Sequence, residues 1–87
     1  DLSSYIIIDV RDLSERNESS IPGSIHIPLS EILKGKAKIP EGKLLVLQCA
    51  VGQRSQMAAQ FLSENGMKNI FNLSGGIAAW NSMLNRR

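Results

Sequence analysis

The chain has 87 residues, 43% of them hydrophobic, with 10 Lys and Arg against 8 Asp and Glu for a net charge of +2. That length fits one domain with a single small core, and the mix is globular rather than disordered. The single cysteine excludes an internal disulfide and a multi-cysteine zinc site. Basic residues are spread along the chain, apart from Arg86-Arg87, which leaves no nucleic-acid footprint. No apolar run approaches the roughly 18 residues that a membrane span needs. The sequence starts at Asp1 with no secretory leader pattern, as a mature or excised piece would. One reduced cysteine suits the cytoplasm, and a periplasmic mature form would look the same.

The first apolar run, Tyr5-Ile6-Ile7-Ile8, is aromatic and β-branched and stops at Asp9, which predicts a strand. Ser24-Ile25-His26-Ile27, between Pro22-Gly23 and Pro28, is a weaker strand, and Ser30 to Lys34 reads as a short helix. After the Pro40-Glu41-Gly42 turn comes Leu44-Leu45-Val46-Leu47, a strand that runs out at Gln48-Cys49. Ser55 to Asn65 is a longer helix, with Met57, Ala58, Phe61 and Leu62 at helical spacing and Asn65-Gly66 as its stop. Asn69-Ile70-Phe71-Asn72-Leu73 is a strand ending at Ser74-Gly75-Gly76. Ile77 to Leu84 is the last helix, with Ile77, Trp80 and Leu84 on one stripe. Continuous apolar strands predict cover on both sheet faces. Their alternation with helices predicts one α/β domain over 1–87, with a mostly parallel sheet.

Ligands of parallel sheets bind beyond the carboxyl ends of the strands. Cys49 lies there, followed by Ala50-Val51-Gly52-Gln53-Arg54 and then the long helix. The first amides of a helix lack internal partners, and the positive end of its dipole adds to them. A short loop of inward amides makes an anion-binding nest. Gly52 allows the loop to close, and Arg54 adds a fixed positive charge. These features are expected to lower the thiol pKa below its free value and leave an exposed, oxidisable thiolate. By position alone, a lone cysteine after an apolar strand is more often a small buried hydrophobe.

Cys49-Ala50-Val51-Gly52-Gln53-Arg54-Ser55 resembles the C-x-x-G-x-R-S loop of the rhodanese family. Asp9-Val10-Arg11, Ile21-Pro22-Gly23-Ser24-Ile25-His26-Ile27-Pro28 and Leu73-Ser74-Gly75-Gly76-Ile77-Ala78-Ala79-Trp80 resemble three further segments of that family, in the same order. The likeness runs from residue 5 to about residue 84. It implies a three-layer α/β fold with a five-stranded, mostly parallel sheet between helices. It also implies a sulfurtransferase in which Cys49 takes sulfane sulfur from thiosulfate or a persulfide. The resulting persulfide would pass its outer sulfur to a thiol, cyanide or a protein acceptor. Ala50, Val51, Gly52, Gln53 and Arg54 would bind the substrate, and neither a metal nor an organic cofactor would be needed. Domains of this size in the family are often monomers. Three positions depart from the pattern: Arg16 stands where an aromatic is usual, Ser19 replaces a Gly and Ser20 replaces a His.

Other residues carry plainer expectations. Arg54 either helps hold the loop or is an exposed first-turn arginine. Ser55 is expected to cap the helix, Asp9 to pair with Arg11 or cap a turn, and His26 to be a satisfied structural histidine. Trp80 is expected in the core. Gly75-Gly76 is read equally well as a tight turn or as a close backbone approach to the loop. A relay or regulatory domain of a larger enzyme, or a partner-binding module, are alternative functions. A phosphatase or arsenate reductase would place five residues between Cys and Arg, whereas Cys49 and Arg54 enclose four.

Overall fold

A computed structural model describes residues 5–84. The elements in chain order are β1 (Tyr5–Asp9), α1 (Leu13–Glu18), β2 (Ile25–His26), α2 (Leu29–Leu33), β3 (Leu44–Gln48), α3 (Gln53–Glu64), β4 (Ile70–Asn72) and α4 (Gly76–Leu84). The strands form one sheet in the order β2-β1-β3-β4, and every pairing is parallel. The α/β expectation therefore holds. The described residues form four strands where the family likeness implied five.

From β1 the chain goes outward to β2 on one side, then returns past β1 to β3 on the other. A crevice opens at such a reversal, outside the carboxyl ends of the two diverging strands. Asp9 and Gln48 face each other in register at those ends, so Cys49 leaves the sheet at the crevice.

Alternation along the strands sorts the side chains into two layers. Ile8, Leu45 and Leu47 pack with Val10 and Cys49 against Ile32 of α2 and Ala58 and Leu62 of α3. Full burial of each such aliphatic side chain contributes on the order of 2 kcal/mol. On the other face Ile7, Ile21 and Ile77 are buried, with Tyr5, Val46, Leu73 and Trp80 packed around them. Trp80, expected in the core, is half-buried and packs against this cluster from its edge. The Leu84 side chain of the same stripe, and Arg86-Arg87, lie outside the described part of the chain.

Two expectations about burial need correction. The second sheet face is only partly covered, leaving an apolar depression lined by Tyr5, Leu44, Val46, Phe71, Leu73 and Trp80. Continuous apolar strands signal two buried faces only where a helix covers each, and α4 reaches just part of this one. Met57 of α3 is 54% exposed. The stripe of α3 that faces the sheet is Ser55, Ala58 and Leu62, and Met57 falls beside it.

α1 was not anticipated. Its signal is Asp12-Leu13-Ser14-Glu15, an N-cap residue with a carboxylate three positions on. The Asp12 amide donates to Glu15 Oε1 at 3.1 Å.

Candidate active site

α3 starts at Gln53, two residues before the predicted Ser55, and Gly52 is its N-cap. Gly52 has φ +102°, a left-handed conformation that side chains with a Cβ rarely adopt, and this bend turns the chain from the loop into the helix. The tight turn aims backbone amides at the sulfur. Gly52 N–H donates to Cys49 Sγ at 3.1 Å and Ser55 N–H at 3.3 Å. Ser55 Oγ lies 3.4 Å from the same sulfur.

The electrostatics follow from this geometry. Burial alone pushes the Cys49 thiol up. The Ser55 hydroxyl and the amides of Ser55, Gly52 and Val51 more than offset it, so the pKa falls below that of an ordinary thiol. Cys49 is only 1% exposed, so the exposed thiolate of the sequence reading is wrong as to exposure. The sulfur is enclosed, but by hydrogen-bond donors as well as by apolar side chains. A buried aliphatic residue in the same place would need none of them.

Ser55 does not cap the helix. It is the third helical residue, fully buried, and its hydroxyl donates to Asn72 Oδ1 at the end of β4. Asn72 Nδ2 donates to the Gly52 carbonyl at 3.2 Å. Asn72 was not singled out in the sequence. Its one signal is a polar side chain near the carboxyl end of an otherwise apolar strand.

Arg54 turns away from the sulfur. Its guanidinium makes a fork onto Glu15 of α1, with Nη1–Oε1 at 2.7 Å and Nη2–Oε2 at 2.9 Å. The Arg54 hydrogen bonds hold the Glu15 carboxyl down at about 2, and Glu15 pushes the arginine pKa up. Arg54 thus ties α3 to α1 and still lends the Cys49 region positive potential. Of the remaining loop residues, Ala50 is half-buried, and Val51 and Gln53 are exposed at the rim.

A second ionic cluster braces the crevice. Asp9 is fully buried and accepts from Arg11 Nε at 3.0 Å and Nη2 at 2.9 Å, as well as from the Arg11 amide. Burial opposes ionisation of Asp9, but the Arg11 hydrogen bonds outweigh it and hold the carboxyl low. Arg16, at the departure from the family pattern, donates to Ser24 Oγ and Ser24 O, both at 2.8 Å. Arg11 Nη2 also reaches the Ser19 carbonyl at 2.6 Å, and His26 Nε2 lies 2.7 Å from the Arg11 carbonyl. Asp9 and His26 are therefore structural, as expected.

Gly75-Gly76 resolves in favour of close approach. A Cβ on Gly76 would lie 2.1 Å from the Cys49 carbonyl oxygen. That contact lets Ile77 N–H donate to Cys49 O at 2.8 Å and Ala78 N–H to Ala50 O at 3.2 Å. The first turn of α4 therefore clamps the loop from behind.

Comparison with known proteins agrees with this architecture. Residues 1–83 match the family model for the Rhodanese-like domain. The chain is 31% identical to a sulfurtransferase of Allochromatium vinosum over 80 residues, spanning 92% of this chain and 75% of that protein. It is 36% identical over 74 residues to YrkF of Bacillus subtilis; the match takes in 85% of this chain but only 40% of YrkF. Among solved structures, a rhodanese-related protein from Thermoplasma volcanium superposes with a TM-score of 0.84 at 36% identity, covering 94% of this chain and 81% of that one.

Proposed function

Since the chain belongs to the rhodanese-like domain family, we propose that it is a sulfurtransferase carrying sulfane sulfur on Cys49. The observation that carries the reading is the convergence of the Gly52 and Ser55 amides and the Ser55 hydroxyl on one sulfur. Such a cradle favours the anionic nucleophile at neutral pH.

In the first half-reaction, the Cys49 thiolate attacks the outer sulfur of a persulfide or of thiosulfate. The Cys49 S–S bond forms as the donor S–S bond breaks, and the electron pair leaves on a thiolate or on sulfite. In the second, a thiolate or cyanide attacks the outer sulfur and Cys49 departs as thiolate. The rules are those of thiol–disulfide exchange, in which a stabilised leaving thiolate leaves faster. The loop Ala50, Val51, Gly52, Gln53 and Arg54 forms the rim against which the donor docks. Because Arg54 is held by Glu15, a persulfide suits this rim better than a dianion that needs a free guanidinium.

Intact-mass measurement after incubation with thiosulfate or a low-molecular-weight persulfide tests the reading. The wild type gains one sulfur and Cys49→Ser gains none. No adduct with either donor would refute it. The four-residue spacing between Cys49 and Arg54 makes a cradle too small for a phosphoryl group, and Cys49-dependent hydrolysis of an aryl phosphate would contradict that.

A further inference from the structure

Ser55 has one hydroxyl proton and two neighbours that can take it. One is Asn72 Oδ1, to which it donates. The other is Cys49 Sγ, 3.4 Å away. The orientation of the asparagine is fixed by chemistry. The Gly52 carbonyl can only accept, so the atom 3.2 Å from it must be the amide nitrogen. The atom facing Ser55 is then the amide oxygen, which also only accepts. With the proton on the asparagine side, Ser55 presents lone pairs to the sulfur. That suits a neutral thiol, whose S–H donates to Ser55. It opposes a thiolate, which needs the proton itself.

We propose that Asn72 is a positioning residue acting through Ser55. Its amide oxygen competes with Cys49 for the single Ser55 proton, which lies toward Asn72 when the sulfur is neutral and swings to Sγ when the sulfur is an anion. The inference deepens the sulfur-carrier reading, which supplies both states. Attack begins from the thiolate, with the proton on the sulfur side. After loading, the charge moves to the outer sulfur, about 2.05 Å farther out, and the proton returns to Asn72. Asn72 thereby trades nucleophile stabilisation for a hydroxyl that follows the charge.

The ionisable surroundings leave this switch readable. On α3 the near charge is Arg54, bound to Glu15 of α1. At the β1 edge Asp9 is paired with Arg11 and Arg16. Glu31 on α2 and Lys34, which ends it, are exposed. β3, β4 and α4 carry no ionisable side chain, and His26 lies two strands away from β3, on β2. Glu15 titrates near 2, Asp9 below the ordinary carboxylate range and Arg54 far above neutrality.

The test is a double-mutant cycle on thiol ionisation. Iodoacetamide alkylation and thiolate absorbance are followed from pH 5 to 9 in wild type, Asn72→Ala, Ser55→Ala and the double variant. Freeing the hydroxyl from its competitor should move the Asn72→Ala midpoint down and raise alkylation below that midpoint by roughly threefold, the size of one neutral hydrogen bond. Ser55→Ala should move the midpoint up. In the Ser55→Ala background the downward shift should vanish, leaving only the smaller upward effect of losing the Asn72 Nδ2 bond to the Gly52 carbonyl. An equal shift in both backgrounds, or an upward shift from Asn72→Ala alone, would overturn the proposal. Asn72→Leu, which keeps the branched skeleton of the side chain without its polar atoms, serves as the second variant if the alanine protein loses its native circular dichroism. Sulfur uptake is scored separately. Coupling without uptake refutes the carrier reading and upholds the proton competition; uptake without coupling does the reverse.

Discussion

At the scale of single residues, the site depends on a few atoms being very near one another. Gly76 is the clearest case, because its missing side chain is what lets α4 touch the loop. In Gly76→Ala, the new Cβ meets the Cys49 and Ala50 carbonyl oxygens, 2.1 and 2.6 Å away, at φ +59°. Backbone has to move to accept it, which is expected to cost about 2–4 kcal/mol. Urea denaturation should show that loss, and Cys49 alkylation should slow as the Gly52 and Ser55 amides drift off the sulfur. Alanine tolerated at that position with unchanged stability and reactivity would mean that the clamp is unimportant. Burial of Cys49 belongs to this scale too. Position alone suggested a hydrophobe, whereas Gly52, Arg54 and the helix behind them suggested an anion nest; the side chain is enclosed, as the first has it, yet faces amide donors, as the second has it.

At the scale of elements, the Arg54–Glu15 fork joins the helices that follow the two diverging strands. The folded-state pKa of Glu15 is depressed from 4.5 to about 2. The stability it contributes is therefore fully present above pH 4.5 and is lost as pH falls through about 2. The side chains are 33% and 31% exposed, so water and salt screen the pair, and its worth is under about 1 kcal/mol. Glu15→Gln should be less stable than wild type at pH 7, and the two denaturation curves should converge near pH 2. A gap independent of pH would place the role of Glu15 elsewhere, in the α1 cap. This element also marks a limit of the sequence. The strands were legible because β-branched and apolar runs end abruptly at Asp9 and Gln48. α3 and α4 were legible from their apolar spacing and glycine punctuation. α1 was not, because it buries no side chain completely and so lacks an apolar stripe. The Cys49 loop could be read from local order, whereas Glu15 and Asn72 reach it from 39 and 17 residues away along the chain, through partners Arg54 and Ser55. Only the folded topology brings them there.

At the scale of the whole molecule, the sheet has one sealed face and one partly open. Leu47 is fully buried and Phe71 is 52% exposed, although both lie in apolar strands. Leu47→Ala is expected to cost about 2–5 kcal/mol, enough to unfold much of a domain this small. Phe71→Ala should cost less than about 1 kcal/mol. Chemical denaturation of the two variants measures the contrast, and similar losses would show that the open face is as tightly packed as the other.

The enclosure of Cys49 has a final consequence for traffic. A sulfur only 1% exposed admits visitors by width. Bulky thiol reagents are expected to be turned away by size alone, while slender ones slip in to react.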